Sequence, residues 1–175
     1  MAIRKIIYAN DKRLRQQAQM ITTFSPALKQ LADDMLETMK SHAGVGMAAP
    51  QIGVAQRLFV AEIPPLRDGK DKPPHPQSGQ TYILINPHII KRAEKLIEGR
   101  EGCLSIPSWF GEVERAEWVE VEAQDLTGKS FSLRVDDLLG RVFQHEIDHL
   151  NGILFPDHIT APDKLWQELP ESNEI

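Results

Sequence analysis

A single cysteine, Cys103, leaves the chain unable to form an internal disulfide, which excludes the staples of a small secreted domain and favours a reducing compartment. Apolar runs approaching the ~18 residues of a membrane-spanning helix are also missing. An excess of basic charge is absent too: 20 Lys and Arg stand against 25 Asp and Glu, a net charge of −5, so there is no broad electrostatic footprint for nucleic acid. The local cluster Arg4, Lys5, Lys12, Arg13 and Arg15 is read as a solvated face. The start lacks the apolar core and small-residue cleavage site of a secretory signal, and Asp11 argues against an organellar presequence, so it is read as the start of a mature protein. The expectation is a cytoplasmic protein with neither DNA nor membrane as a partner. At 175 residues there is room for one full hydrophobic core, hence one domain over residues 1–175, with a C-terminal tail at about 156–175.

What is present reads as short, well-punctuated elements. In "SPALKQLADDMLETMKSHAG" the residues Leu28, Leu31, Ala32, Met35, Leu36 and Met39 recur at three- and four-residue intervals. That predicts an amphipathic helix capped by Ser25, with Pro26 in its first turn and Gly44 at its end. "VGMAAPQIG" reads as a loop, because its glycines and Pro50 suit neither a helix interior nor a central strand. "AQRLFVAEI" and "TYILINP" read as strands on either side of a polar, proline-dense excursion at 64–80. Alternation in "WVEVEAQD" and "SFSLRV" about "LTGK" predicts an antiparallel hairpin. The tail "PDKLWQELPESNEI" holds at most a short helix and a frayed acidic end.

The hairpin's apolar face is expected to pack on "DDLLGRVFQHEIDHLNG", a helix with Asp136 or Asp137 at its start and Gly152 at its close. His-Glu-x-x-His on that helix puts His145 and His149 one turn apart on one face. Glu146 shares the neighbouring stripe with Leu139, Phe143 and Leu150. Two imidazoles and a carboxylate on a buried face are penalised unless paired, and a metal would satisfy them. The alternative is a pair of histidines hydrogen-bonded within the core. A catalytic metal site usually takes three protein ligands and keeps one position open, so the motif alone is incomplete. His42, His75, His88 and His158 read as turn or surface histidines. Cys103 on its own would read as a small buried hydrophobe, but "GCLSIP" sets it in an irregular, rigid segment between Gly102 and Pro107 and makes it the best third ligand. Glu101 or Asp148, each preceding a ligand in sequence or nearly so, is positioned to orient one or to pair with Arg115. The fold class expected is α+β, with mixed, mostly antiparallel strands around a central metal-bearing helix.

"GVGMAAPQIG" at 44–53, "EGCLSIP" at 101–107 and "QHEIDHLNG" at 144–152 resemble the three signature motifs of peptide deformylase, in the family's order and spacing. The likeness runs from about Ile3 to Phe155. The resemblance implies an enzyme that removes the formyl group from the N-terminal formyl-methionine of new polypeptides. It also implies Cys103, His145 and His149 as metal ligands, Glu146 as general acid/base, and Gln51 with the backbone N–H of Leu104 as donors to the oxyanion. By the same likeness the native ion is Fe²⁺, with Zn²⁺, Ni²⁺ or Co²⁺ suited to the same donors. Such an ion lowers the pKa of bound water to about 7, and the hydroxide so formed attacks the formyl carbon.

In the family the substrate backbone adds as a strand to the loop equivalent to Gly44, Val45 and Gly46. Val45, Leu138 and Val142 are candidates for lining a methionine-sized pocket, or equally for plain core. Trp109 and Phe110 either rim the cleft or cover a loop. The partner implied is a nascent formyl-methionyl polypeptide, with the ribosome as a possible second partner. Some members contact the ribosome through a longer C-terminal helix, and here Pro162 and Pro170 bracket only a short segment, which puts that route in doubt. Arg141 and Gly140 stand where the family often has small or apolar residues. Three rival readings remain: a zinc endopeptidase, which would not need Cys103; a cysteine-nucleophile hydrolase, indifferent to chelators; and an inactive binding module.

Overall fold

A computed structural model of the chain describes residues 2–64 and 79–168. The excursion expected at 64–80 and the acidic end of the tail lie almost wholly outside these residues. Among them are two α-helices and two antiparallel sheets. α1 is Pro26–Ser41 and α2 is Asp137–Leu150. The strands are β1 (Gly46–Ala48), β2 (Leu58–Glu62), β3 (Thr81–Arg92), β4 (Leu96–Cys103), β5 (Ile106–Ala116), β6 (Trp118–Gln124), β7 (Ser130–Asp136) and β8 (Leu165–Gln167). The larger sheet runs β1-β2-β3-β6-β7 and the smaller β4-β5-β8, with parallel pairing confined to one bridge between Gln19 and Gln56.

α1 forms as its spacing predicts. The Ser25 hydroxyl accepts the Leu28 N–H at 3.4 Å, and Leu28, Leu31, Ala32, Met35 and Met39 bury one face against Met47, Leu58, Val60 and Ile85 of the large sheet. Its exit differs from expectation. Ala43, not Gly44, takes the left-handed conformation (φ 53°), and the Gly44 N–H closes on Met39 O at 2.9 Å. Gly44 is small for another reason, since a Cβ there would lie 2.9 Å from Leu104 Cδ1. The β6–β7 hairpin forms as expected, with Val119 opposite Val135, and buries Val119, Val121, Ala123 and Val135 with Leu139, Phe143, Ile147 and Leu150 of α2. Asp136 stands at the N-cap of α2 without a side-chain capping bond, while Gly152 (φ 76°) follows its last turn.

Four expectations need correction. "VGMAAPQIG" is not a plain loop: β1 pairs with β2 along the sheet edge, and residues Ala49–Ile52 form a short 3₁₀ turn. Pro50 is accommodated in the first turn of that helix, where no N–H is required. The first strand after the excursion does not stop at Pro87 but continues to Arg92 through a register shift between Ile85 and His88, with Asn86 at φ 54°. The Asn86 amide fills the irregularity by bonding Ile21 N–H, Ile21 O and Gln124. "EGREGCLSIPSWFGEVE" is a long β4–β5 hairpin with Leu104 and Ser105 at its turn. Finally, the tail contributes β8, which pairs with β5 at Trp109–Gly111.

The three arginines of the basic cluster meet carboxylates: Arg4 with Asp34 at 2.9 Å, Arg13 with Asp11 at 2.6 Å, and Arg15 with Asp157. No helix of the described residues is long and apolar enough to cross a membrane. Asp34 is also the anchor of the N-terminal segment, accepting from Gln30 Nε2, Ala2 N–H and Arg4 Nε at 2.8–2.9 Å. The Gln30 hydrogen bond, followed by those of Ala2 and Arg4, holds its carboxyl below the usual range. A depressed carboxylate adds stability above its unfolded pKa of about 3.9 and loses it as pH falls through the folded value. The stability difference between wild type and Asp34→Ala, from urea melts, should therefore be constant from about pH 8 to pH 5 and shrink below about pH 4. A difference that is unchanged at pH 3 would refute the anchor role.

Candidate metal centre

Three elements meet at one point. α2 carries His145 and His149, the end of β4 carries Cys103, and the 3₁₀ turn after β1 carries Gln51. The one-turn spacing sets the two imidazole centroids 4.9 Å apart, and Cys103 Sγ lies 3.2 Å from His149 Nε2. Among the described residues, these three side chains form the group of metal-ligating types whose donor atoms all fall within 4.8 Å of one another. His145, Glu146 and His149 are buried, and Cys103 is partly exposed at the floor of a cavity of about 590 Å³.

One of the imidazoles is aimed. His145 Nδ1 is 2.8 Å from Glu101 Oε2, which leaves Nε2 for the centre. Glu101 also receives Arg115 through Nε (2.8 Å) and Nη2 (3.0 Å), and Arg115 Nη1 reaches Asp148 Oδ2 at 2.5 Å. Both carboxylates singled out in the sequence therefore converge on Arg115. Burial pushes the Glu101 carboxyl up, but the hydrogen bonds from His145 and Arg115 prevail and hold it well below the usual carboxylate range. At His149, burial pushes the ring well below its ordinary value, which favours the neutral form that binds metals. Burial also opposes a charge on His145, yet Cys103 and Glu101 beside it raise that ring well above its ordinary value. His149 Nδ1 and Glu146 Oε2 are buried without a hydrogen-bond partner among the described residues. Two imidazole nitrogens and a thiol sulfur, held together, with His145 oriented from behind by Glu101, fit a borderline-soft divalent metal.

Glu146 lies beside the ligands, and burial pushes its carboxyl up to about 7. Gln51 is fixed by its own turn: Oε1 accepts the Ala48 N–H at 2.7 Å, so Nε2 faces Cys103 Sγ at 3.5 Å and Ser105 Oγ at 3.4 Å. One end of the Gln51 amide thus fastens its turn while the other faces the centre. Gly44, Val45, Gly46, Leu104, Leu138 and Val142 all line the cavity, as do Trp109 and Phe110. Leu138 is 38% exposed and stands at the mouth, whereas Val142 belongs to both core and cavity. A Cβ on Gly46 would come within 2.8 Å of Val142 Cγ1, so glycine there lets β1 run close beside α2. Of the other histidines, His42 lines the cavity but bonds Thr38 O and Ser41, His88 is exposed, His158 bonds Asp148, and His75 lies outside the described residues. Ile6, Tyr8 and Arg100 also reach the cavity. Nothing in their local sequence marks them, because they arrive by the path of the chain.

Two buried histidines and a partly exposed cysteine with a carboxylate alongside, at a cavity of peptide size, suit the centre of a metal-dependent hydrolase. The polypeptide deformylase family model matches residues 3–165, and the chain belongs to that family of enzymes, which remove the N-terminal formyl group from nascent polypeptides. Among curated relatives, the peptide deformylase of Thermomicrobium roseum is 44% identical over 174 residues, covering 99% of this chain and 95% of that one. That of Roseiflexus sp. is 48% identical over 142 residues, covering 77% and 76%. Among solved structures, the peptide deformylase of Legionella pneumophila superposes with a TM-score of 0.80 at 44% identity, covering 93% of this chain and 89% of that one. The Synechococcus elongatus enzyme, solved in complex with actinonin, gives 0.80 at 39% identity, covering 91% and 80%.

Proposed function

We propose that Cys103, His145 and His149 hold the catalytic metal, that Glu146 moves the protons, and that Gln51 Nε2 and the Leu104 N–H donate to the formyl oxygen. The observation that carries this reading is the unpartnered Oε2 of Glu146, buried beside three converging donor atoms at the floor of the cavity. The bound metal supplies Lewis acidity that makes water nucleophilic near neutral pH. Glu146 takes the proton released by that water and returns it to the departing amine, so one carboxyl group serves both directions. Gln51 meets the growing negative charge on the formyl oxygen with an N–H already fixed in place by the Ala48 bond at its other end.

The peptide lies extended along residues 44–46, where β1 pairs with β2 on one side only. Its methionine side chain enters the apolar space lined by Val45, Leu138 and Val142. The likeness to a relative solved in complex with actinonin supports binding of that molecule here as well. Both sheets supply site residues, which supports one catalytic domain. The native ion in this reading is Fe²⁺, a choice consistent with one soft and two borderline donors, with Zn²⁺, Ni²⁺ or Co²⁺ able to replace it. A cytoplasmic enzyme would meet its substrates as they leave the ribosome. Among the described residues the tail contributes β8.

Anaerobic hydrolysis of formyl-Met-Ala-Ser, with the metal assayed on the same sample, tests the reading. Turnover with about one metal per chain is expected in the wild type, with both lost in Cys103→Ala. Turnover that survives in metal-free Cys103→Ala would sink it.

A further inference from the structure

Arg141 is a feature of α2 that the mechanism above leaves unused. It precedes His145 by four residues, so the two side chains rise from the same face of the helix. Both reach one carboxylate: Arg141 Nη1 bonds Glu101 Oε1 at 2.9 Å and His145 Nδ1 meets Glu101 Oε2 at 2.8 Å. We propose that Arg141 is a positioning residue for the metal ligand His145, acting through Glu101; the proposal rests on the three-ligand reading of the centre.

Two lines of geometry carry it. The first is charge. Glu101 is buried, and its other cation, Arg115, is divided between Glu101 and Asp148. Arg115 alone leaves two carboxylates against one guanidinium beside the centre, and Arg141 makes the group neutral. Glu101 then has a donor on each oxygen besides the bidentate Arg115, which leaves it one orientation in which to receive His145. The second is anchorage. Arg141 also meets main-chain carbonyls: Nη1 reaches Val113 O at 2.8 Å and Gly99 O at 3.3 Å, and Nη2 reaches Ile97 O at 2.7 Å. Those carbonyls belong to β4 and β5, the hairpin whose turn holds Cys103. One side chain of α2 thus ties the helix bearing two ligands to the hairpin bearing the third. Gly99 gives it room, since a Cβ there would lie 2.7 Å from Arg141 Nη2. An arginine is required for this role because a lysine has no planar fork to span four acceptors.

The test measures Zn²⁺ dissociation constants by competition with a chelator, at a temperature well below the melting points of the metal-free proteins. Arg141→Met removes the guanidinium, and Gly99→Ala displaces it while keeping its charge. Loss of a hydrogen-bonding partner behind a ligand commonly weakens metal affinity about 10- to 100-fold, and Arg141 acts one bond further away. The expectation is a weakening of about tenfold in Arg141→Met, with a smaller change of the same sign in Gly99→Ala. A purely structural strap would lower the melting temperature of the metal-free protein and leave the dissociation constant within twofold, and that result would overturn the proposal. If Arg141→Met does not fold, an unchanged constant in Gly99→Ala overturns it equally. A wild type that binds no stoichiometric Zn²⁺ would instead overturn the three-ligand centre, a failure the wild-type titration alone reveals.

Discussion

Glu146→Gln is expected to lower kcat on formyl-Met-Ala-Ser by about 100- to 10,000-fold while leaving about one metal bound per chain. The substitution keeps the shape of a side chain that is 3% exposed and removes only its ability to exchange a proton. Two opposing influences make this carboxyl suited to the task. Burial pushes it up to about 7, and a cation bound by its neighbours would favour the carboxylate, so both protonation states are accessible near neutral pH. A group that must accept a proton and then return it works best under that condition. Single-turnover kinetics on metal-assayed protein decide the matter: a rate within tenfold of wild type would show that Glu146 only fills space between α2 and β1. Loss of the metal together with the rate would place Glu146 in the binding of the ion and not in proton transfer.

How far the sequence disclosed this arrangement depended on how local each signal was. α1 and α2 were legible because their apolar residues recur with the period of a helix, and the β6–β7 hairpin because its residues alternate about a glycine-containing turn. His145, Glu146 and His149 were legible because one helical turn brings them together within five residues. β4 and β5 were not. Gly99, Gly102 and Gly111 interrupt the apolar alternation that marks a strand, and each glycine answers to a distant neighbour instead. A Cβ on Gly102 would meet the Phe110 ring at 2.8 Å, and one on Gly99 would meet Arg141. β1 was hidden for a related reason: three residues long, it is a strand only because β2 lies beside it. Sequence proposes Cys103 as a third donor by elimination and by resemblance, but the hairpin that presents it at the end of β4 follows from cross-strand pairing over twenty residues. The roles of Glu101, Asp148 and Arg115 were guessed from adjacency to ligands, and the fold brings all three into one hydrogen-bonded chain behind His145. Arg141 was visible only as a departure from a pattern, because its partners are main-chain carbonyls of another element and carry no sequence signature.

Gln51 offers the second large effect, and the structure supplies the means to separate its two tasks. Oε1 satisfies the Ala48 N–H, a buried donor at the end of β1, while Nε2 faces the centre. Gln51→Glu retains an oxygen for Ala48 and loses the N–H, whereas Gln51→Met keeps the volume and loses both. Removing one donor to an oxyanion typically costs about 100- to 1,000-fold in kcat, and that loss is expected in both variants. Stability should divide them. An unsatisfied buried N–H costs about 1–3 kcal/mol, which for a chain of this size lowers the melting temperature by roughly 2–12 °C. That drop is expected in Gln51→Met alone, measured on metal-free protein. Because the methionine variant carries no new charge, an equal loss of rate in the two would tie the defect to the missing N–H and not to repulsion between a new carboxylate and Cys103. Should Gln51→Met melt early yet turn over at close to the wild-type rate, Gln51 would be a fastener of its turn and the formyl oxygen would depend on Leu104 alone.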